Sequence, residues 1–153
     1  MSSAPHVGPI HHVAIIVRSI DAALSRYREL FGLLPEADPI DIASQGVRLC
    51  FLRTGPDPAA RIELIEPLDD ASGVARFLAA RGEGLHHVCL ATDDLPAELD
   101  RLAAYEVELI DRRARAGAHG PVGFLHPRTL SGVLWELVQP GENVNLDQEQ
   151  SNP

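Results

Sequence analysis

The amino-acid sequence contains an internal repeat, and this repeat limits the folds that the chain can adopt. Residues 10–35 (IHHVAIIVRSIDAALSRYRELFGLLP) align without a gap with residues 85–110 (LHHVCLATDDLPAELDRLAAYEVELI). A period of about 75 residues is longer than the 20 to 50 residues of solenoid repeats. The repeat therefore predicts two similar half-modules. The identical positions include His11/His86, His12/His87, Val13/Val88, Leu24/Leu99 and Arg26/Arg101.

Each half begins with a predicted strand and continues into a predicted helix. HHVAIIV and HHVCLAT are rich in apolar and β-branched residues, as strands are. Ser19 and Asp94 are predicted N-caps, and Pro96 is tolerated in the first turn of the second helix. The first helix is predicted to end at Gly32 and to present one apolar face, made of Ile20, Ala23, Leu24, Tyr27 and Phe31.

Further strands are predicted after each helix, with Gly and Pro between them. The first half offers GVRLCFLR and ARIELIEP, the second offers VELIDRR, GPVGFLHP and GVLWELVQP, and a short helix, SGVARFLAARG, joins the halves. The predicted fold class is α+β, with two paired βαβββ modules at about 10–67 and 85–139. The single domain then covers 10–139, and the polar, Pro-containing stretches 1–9 and 140–153 are predicted to be disordered tails.

The composition excludes several classes of function. All 13 basic side chains are Arg, so the chain has no Lys for a Schiff base, a P-loop or a protein kinase site. The net charge of −9 argues against binding to nucleic acid or to an anionic membrane. No apolar run resembles a signal peptide or a membrane span, so we expect a cytoplasmic protein. Cys50 and Cys89 lie in apolar runs and are predicted to be reduced, buried thiols.

Histidine and glutamate occur at matching places in the two halves. His12 and His87 lie on the first strands, and Glu63 (in ELIEP) and Glu136 (in ELVQP) lie on the last strands about 50 residues later. Side chains alternate between the faces of a strand, so each of these groups shares a face with apolar residues. A buried carboxylate or imidazole needs a partner or a metal. Two imidazoles with one or two carboxylates suit a divalent first-row metal with open positions.

Plainer interpretations exist for the same residues. A His on a strand is often a surface residue or a hydrogen-bonded core residue, and Glu63 is also compatible with the solvent face or with the role of an unligated base. The coincidence across the two halves favours one shared metal site. Its predicted ligands are His12, Glu63, His87 and Glu136, whereas His11 and His86 point the other way and are not expected to be ligands.

These residues carry a resemblance to a known family. The paired βαβββ modules resemble the vicinal oxygen chelate superfamily, which includes glyoxalase I, extradiol dioxygenases and fosfomycin resistance proteins. IHHVAIIVRSIDAAL, IELIEPL, GEGLHHVCLATDDL and above all GAHGPVGFLHPRTLSGVLWELVQP resemble the methylmalonyl-CoA epimerase family over about residues 10–139. The resemblance implies a curved mixed sheet around a metal site.

The resemblance also implies an activity, a cofactor and partners. A divalent metal (cobalt, manganese, nickel or zinc) would chelate methylmalonyl-CoA and stabilise the enolate formed when the proton leaves carbon 2. Family ligands match His12, His87 and Glu136, and the family has Glu or Gln where Glu63 stands. We expect Glu63 and Glu136 to act as base and acid, because QGVRLCFL lacks the carboxylate that some members place there. The partners implied are an acyl-CoA substrate and a second copy of the chain in a homodimer.

Two other functions use the same fold. A glyoxalase I-type lactoylglutathione lyase, or another metalloenzyme of the superfamily, would use the same four positions. A non-enzymatic small-molecule binding protein would not need His and Glu in both halves. The stretch from Arg112 to Arg128 concentrates positive charge, with His119 and His126 nearby. It is either a contact for an anionic substrate or a solvated loop with ordinary salt bridges. Gly117 and Gly120 are expected to permit turn geometry there.

Overall fold

The computed structural model describes residues 4–5 and 7–141 of the chain. The chain forms two compact units, one made of His12–His86 and the other of Met1–His11 with His87–Pro153. We call them the first and the second unit. Both boundaries fall between the paired histidines of the sequence repeat. Strand β1 (Val7–Ile16) therefore gives its residues 12–16 to the first unit and its earlier residues to the second.

The first unit contains a mixed sheet. The strands are β2 (Leu34–Pro35), β3 (Ile40–Ile42), β4 (Val47–Arg53) and β5 (Arg61–Pro67), with α1 (Ile20–Phe31) and α2 (Gly73–Arg81) as helices. Neighbouring strands follow the order β2, β4, β5, β1, and β3 also pairs with β4. β5 is antiparallel to β4 and parallel to β1. The predicted joining helix and both predicted strands of this half are thus confirmed.

Helix α1 begins and ends at its predicted residues. The Ser19 hydroxyl accepts a hydrogen bond from the Ala22 N–H at 3.1 Å, and the Gly32 N–H donates to the Arg28 carbonyl at 3.0 Å. The apolar face packs on a core of Val17, Ile20, Cys50, Leu52 and Leu64. Phe31 departs from the prediction, because this last-turn side chain is 67% exposed and lies beside the Tyr27 ring instead of in the core.

The second unit repeats the arrangement. Its elements are the residues of β6 (Gly84–Thr92) from His87 onward, α3 (Leu95–Ala104), β7 (Val122–Leu125) and β8 (Trp135–Val138). β8 is parallel to β6 and antiparallel to β7. Asp94 caps α3 by accepting from the Ala97 N–H at 3.1 Å, as predicted. The core consists of Leu95, Leu99, Leu125 and Leu137. Both units are mixed sheets with helices, which confirms the α+β class.

Strand β1 starts earlier than the sequence predicts. Residues 1–9 were expected to form a tail, but Val7, Gly8 and Pro9 belong to β1. β1 is a neighbour of β6, and a Cβ atom built on Gly8 would lie 3.4 Å from the Ala91 carbonyl oxygen within the second unit. Backbone pairing of this kind needs no apolar side chains, so the polar composition concealed it. Most of the second predicted tail, residues 142–153, lies outside the described residues.

The predicted strand VELIDRR is wrong. In the described residues, this segment contributes a single isolated bridge, between Leu109 and Leu125. The N–H groups of Ile110 and Asp111 both donate to the Phe124 carbonyl, at 3.0 and 3.1 Å. The Asp111 carboxylate accepts the Phe124 N–H at 2.8 Å. A side chain thus occupies the donor that a regular strand partner would use, and the ladder does not extend.

A side chain from the last strand region of each unit holds the start of a helix. The Glu66 carboxylate accepts the Ile20 N–H at 2.8 Å, and the Gln139 side-chain oxygen accepts the Leu95 N–H at 2.9 Å. Glu66 lies three residues after Glu63, and Gln139 lies three residues after Glu136. These hydrogen bonds therefore connect the Glu63 strand β5 to the start of α1 and the segment after the Glu136 strand β8 to the start of α3. We call these two hydrogen bonds the helix ties.

Among the described residues, no helix combines the length and the apolar character needed to cross a membrane.

Candidate metal centre

The first unit contains a buried His–Glu pair. In the parallel pairing of β1 with β5, Glu63 lies opposite Ala14, two residues after His12 on the same strand face. The His12 Nε2 atom is 3.0 Å from a Glu63 carboxylate oxygen. The two residues are 3% and 6% exposed, so Glu63 is not on a solvent face. Glu66, on the other side of the strand, instead holds the start of α1.

The second unit contains the same pair in the same register. Glu136 on β8 lies opposite Cys89, two residues after His87 on β6. The His87 Nε2 atom is 2.7 Å from a Glu136 carboxylate oxygen, and the residues are 5% and 6% exposed. Cys89 is completely buried, and both cysteines are free thiols, as predicted. Each unit therefore provides one imidazole nitrogen and one carboxylate oxygen, side by side and shielded from water.

The geometry of each pair fits a divalent metal. Protein ligands lie at about 2.0–2.2 Å from Zn²⁺. Two ligand atoms at about 2.1 Å from one ion are about 3.4 Å apart at the tetrahedral angle of zinc and about 3.0 Å apart at the right angle of octahedral coordination. The His–Glu separations of 3.0 and 2.7 Å are closer to the second value. Nitrogen and oxygen donors also suit first-row metals. The residues of both pairs are thus compatible with the metal that the sequence implies.

A phenylalanine contacts the histidine of each pair. Phe51 lies opposite Glu63 in the pairing of β4 with β5, and its ring meets the His12 ring edge-to-face at 5.5 Å. Phe124 lies opposite Glu136 in the pairing of β7 with β8, and its ring meets the His87 ring at 5.2 Å. The sequence analysis missed both residues. A Phe-Leu dipeptide on the strand before the Glu strand of each half was the available signal.

The other histidines among the described residues make different contacts. The His11 ring packs against the His119 ring at 5.2 Å within the second unit. The His86 ring packs against the Phe77 ring at the same distance within the first unit. The His126 Nδ1 atom accepts the Arg128 N–H at 3.0 Å and caps a short 3-10 turn, Pro127–Thr129. None of these contacts involves the His–Glu pairs.

The Arg-rich stretch makes local salt bridges. The Arg115 guanidinium is 3.2 Å from the Asp111 carboxylate and also lies over the Phe124 ring, 5.0 Å from its centroid. The Arg128 guanidinium is 3.3 Å from the Glu108 carboxylate. These contacts favour the interpretation as a solvated loop for both residues. Contact between this stretch and an anionic substrate stays a prediction.

Comparison with known proteins adds independent information. A family model described as the Glyoxalase/Bleomycin resistance protein/Dioxygenase superfamily matches residues 11–124. The chain is 38% identical to an ethylmalonyl-CoA/methylmalonyl-CoA epimerase of Cereibacter sphaeroides, over 87% of this chain and 98% of that protein. It also resembles the crystal structure of methylmalonyl-CoA epimerase from Mycobacterium tuberculosis, with 35% identity and a TM-score of 0.83 over 92% of this chain and 93% of that one.

A further solved structure is a methylmalonyl-CoA epimerase in complex with methylmalonyl-CoA and NH4+, at 30% identity and a TM-score of 0.83, covering 90% of this chain and 97% of that one. The chain therefore belongs to the Glyoxalase/Bleomycin resistance protein/Dioxygenase superfamily of α+β proteins. The resemblance inferred from the sequence motifs is confirmed. Within that superfamily, the chain is a member of the methylmalonyl-CoA epimerase family, a family of isomerases.

Proposed function

We propose that this protein is a metal-dependent epimerase that interconverts the 2R and 2S forms of methylmalonyl-CoA. The family membership supports the reaction. The observation that carries the chemical role is the buried His–Glu pair, present once in each unit with the same register and with separations of 3.0 and 2.7 Å. We further propose that His12, Glu63, His87 and Glu136 together hold one divalent metal ion.

The reaction moves one proton at carbon 2. This carbon lies between a thioester and a carboxylate, so its proton is acidic once the charge left behind is stabilised. A divalent metal bound by the two pairs would act as a Lewis acid toward that charge. Cobalt, manganese, nickel and zinc all accept imidazole and carboxylate ligands.

The two carboxylates are the proposed base and acid. Inversion requires a proton to leave one face of carbon 2 and another to arrive at the opposite face. Glu63 and Glu136 come from different units, and each is nearly free of contact with bulk water. A hydrogen bond from the neighbouring imidazole favours the charged form of a carboxylate, which is the form that accepts a proton. We assign the abstraction in one direction to Glu63 and the return to Glu136.

Solvent exchange at carbon 2 tests the proposal. The protein, loaded in turn with each of the four metals, is incubated separately with each epimer of methylmalonyl-CoA in deuterated water, and label at carbon 2 is followed by mass spectrometry. Glu63→Gln should slow exchange from at least one epimer by at least about 100-fold, the usual contribution of a general base. Glu66→Gln is the matched control, because Glu66 lies on the same strand and its amide replacement still accepts the Ile20 N–H.

Each outcome has a definite meaning. Unchanged exchange from both epimers in Glu63→Gln, at equal metal content, contradicts the role of Glu63 as a base. Absence of exchange in the wild-type protein with every metal contradicts the epimerase. Two alternative substrates are tested in parallel. Ethylmalonyl-CoA is included because it occurs in the name of one relative. The hemithioacetal of methylglyoxal and glutathione is included because it is the substrate of a lactoylglutathione lyase.

Removal of the metal supplies a second readout. A ligand that binds only the folded protein stabilises it by RT ln(1 + [L]/Kd). Addition of a chelator should therefore lower the melting temperature, and each of the four metals that binds should restore it. If the melting temperature does not respond, the two pairs are hydrogen bonds only. The homodimer stays a prediction that sedimentation velocity tests.

A further inference from the structure

The imidazole of each His–Glu pair has an aromatic neighbour. The Phe51 ring stands at 78° to the His12 ring, and the Phe124 ring stands at 88° to the His87 ring, with centroids 5.5 and 5.2 Å apart. We propose that Phe51 and Phe124 are positioning residues, each of which holds one imidazole in the orientation that points its Nε2 atom at the neighbouring carboxylate. This inference rests on the proposed metal site and names residues that support it.

The need for positioning follows from the side-chain torsion of histidine. Rotation about χ2 of His meets only a broad, roughly two-fold barrier, so the ring can turn its Nε2 atom away from a ligand position. An edge-to-face contact between the two rings is favourable, and rotation of the imidazole would lose it. Mutation of the hydrogen-bond partners that orient metal ligands typically weakens metal affinity by about 10- to 100-fold, and we take the lower end of this range for an aromatic contact.

The contact occurs in both units in the same register. Each Phe lies directly opposite the Glu of its pair, on the strand antiparallel to the Glu strand. A change of register by one residue would turn the ring to the other face of the sheet. The strand pairing that places the carboxylate therefore also places the aromatic ring. In each unit the His, the Glu and the Phe lie on three neighbouring strands.

In the second unit the aromatic ring is itself fixed. The Arg115 guanidinium lies over the Phe124 ring at 5.0 Å, and the Asp111 carboxylate is 3.2 Å from that guanidinium. The same carboxylate accepts the Phe124 N–H at 2.8 Å. Asp111 and Arg115 thus hold the backbone and the ring of Phe124, which gives this part of the Arg-rich stretch a place in the support of His87.

The chain contains a matched control for the experiment. Phe77 makes the same edge-to-face contact with His86, at 5.2 Å and 83°, and His86 is not a proposed ligand. Phe51→Leu, Phe124→Leu and Phe77→Leu each remove one aromatic ring beside a histidine and keep an apolar side chain. The variants therefore differ in whether the histidine is expected to bind metal.

The experiment measures Co²⁺ binding to the full-length chain. The dissociation constant is obtained by competition with a chromophoric chelator, and the visible spectrum of the Co²⁺ protein reports ligand geometry. Phe51→Leu and Phe124→Leu should weaken Co²⁺ binding by about tenfold or more and should change the spectrum. Phe77→Leu should leave both unchanged, and Phe51→Tyr and Phe124→Tyr, which retain the ring, should restore most of the affinity.

Two results overturn the inference while the proposed function stands. One is a wild-type Co²⁺ affinity and spectrum in both Phe51→Leu and Phe124→Leu. The other is an equal loss of Co²⁺ affinity in Phe77→Leu, which would mean a general structural effect. Absence of Co²⁺ binding by the wild-type protein overturns the metal site and this inference together. Where a Leu variant does not fold, the Met variant replaces it, because Met is apolar and adapts to the space of a removed ring.

Discussion

Replacement of Gly120 by Ala is expected to destabilise the protein far more than the same replacement of Gly132. Gly120 has a φ angle of +129°, and a Cβ atom built on it would lie 2.2 Å from the Gln139 carbonyl oxygen and 3.2 Å from the Gly141 nitrogen. Both of those atoms belong to backbone. The Gln139 N–H donates to the Pro121 carbonyl at 2.9 Å, so a side-chain rotation cannot relieve the contact.

The magnitude follows from two separate costs. A residue other than Gly at such a φ angle costs about 1–3 kcal/mol. Forcing an additional methyl group into packed structure costs about 1–3 kcal/mol more. We therefore expect Gly120→Ala to lower the free energy of unfolding by about 4 kcal/mol. Gly132 has a φ angle of +75° with nothing within 4 Å of its built Cβ. Gly132→Ala should cost only the backbone strain, about 1 kcal/mol.

Urea unfolding of the two variants and the wild-type protein measures the differences in the free energy of unfolding, and thermal unfolding measures the corresponding melting temperatures. In a chain of this length, 1 kcal/mol corresponds to a melting-temperature shift of about 2–4 °C. Gly120→Ala should therefore melt about 10 °C below the wild-type protein, and Gly132→Ala about 3 °C below it. Equal losses in the two variants would refute the reasoning, because the backbone contact would then contribute nothing.

Three further predictions concern individual hydrogen bonds and a thiol. Asp111→Ala removes the acceptor of the Phe124 N–H and should cost about 1–2 kcal/mol in urea unfolding, whereas Asp111→Asn keeps an oxygen acceptor and should cost clearly less; equal costs would count against this bond. Glu66→Ala should cost about 1 kcal/mol and should speed amide exchange at Ile20, and an unchanged exchange rate would show that another acceptor serves there. Burial raises the pKa of the Cys50 thiol, which is 2% exposed. This thiol should react with a disulfide reagent only as the protein unfolds, and rapid labelling of the native protein would disprove that.

The sequence predicts the fold well where local signals agree. Ser19 and Asp94 are N-caps as expected, and their helices follow strands whose apolar residues lie in the cores. The repeat predicts the candidate site residues, because it places His12 and His87, and Glu63 and Glu136, at matching positions of two modules. Whether these four residues bind one metal stays a prediction, although the structure shows that each His lies beside its Glu.

The sequence fails where backbone pairing or a side-chain acceptor decides the outcome. Val7, Gly8 and Pro9 belong to β1, which is a neighbour of β6 in the sheet, and nothing in their side chains indicates this. VELIDRR has an apolar, strand-like pattern, yet the Asp111 carboxylate takes the Phe124 N–H and ends the pairing. Pattern analysis assigns side chains to faces, but it does not identify which acceptor a given N–H will find.

The two helix ties have equivalent positions but different chemistry. Glu66 offers a charged oxygen to the start of α1, and Gln139 offers a neutral one to the start of α3. Attraction between a carboxylate and the positive end of a helix weakens as ionic strength rises, and an amide lacks that charge. The first unit should therefore loosen more than the second in concentrated salt. Because Glu66 lies three residues after Glu63, that sensitivity falls on the strand that carries the proposed base.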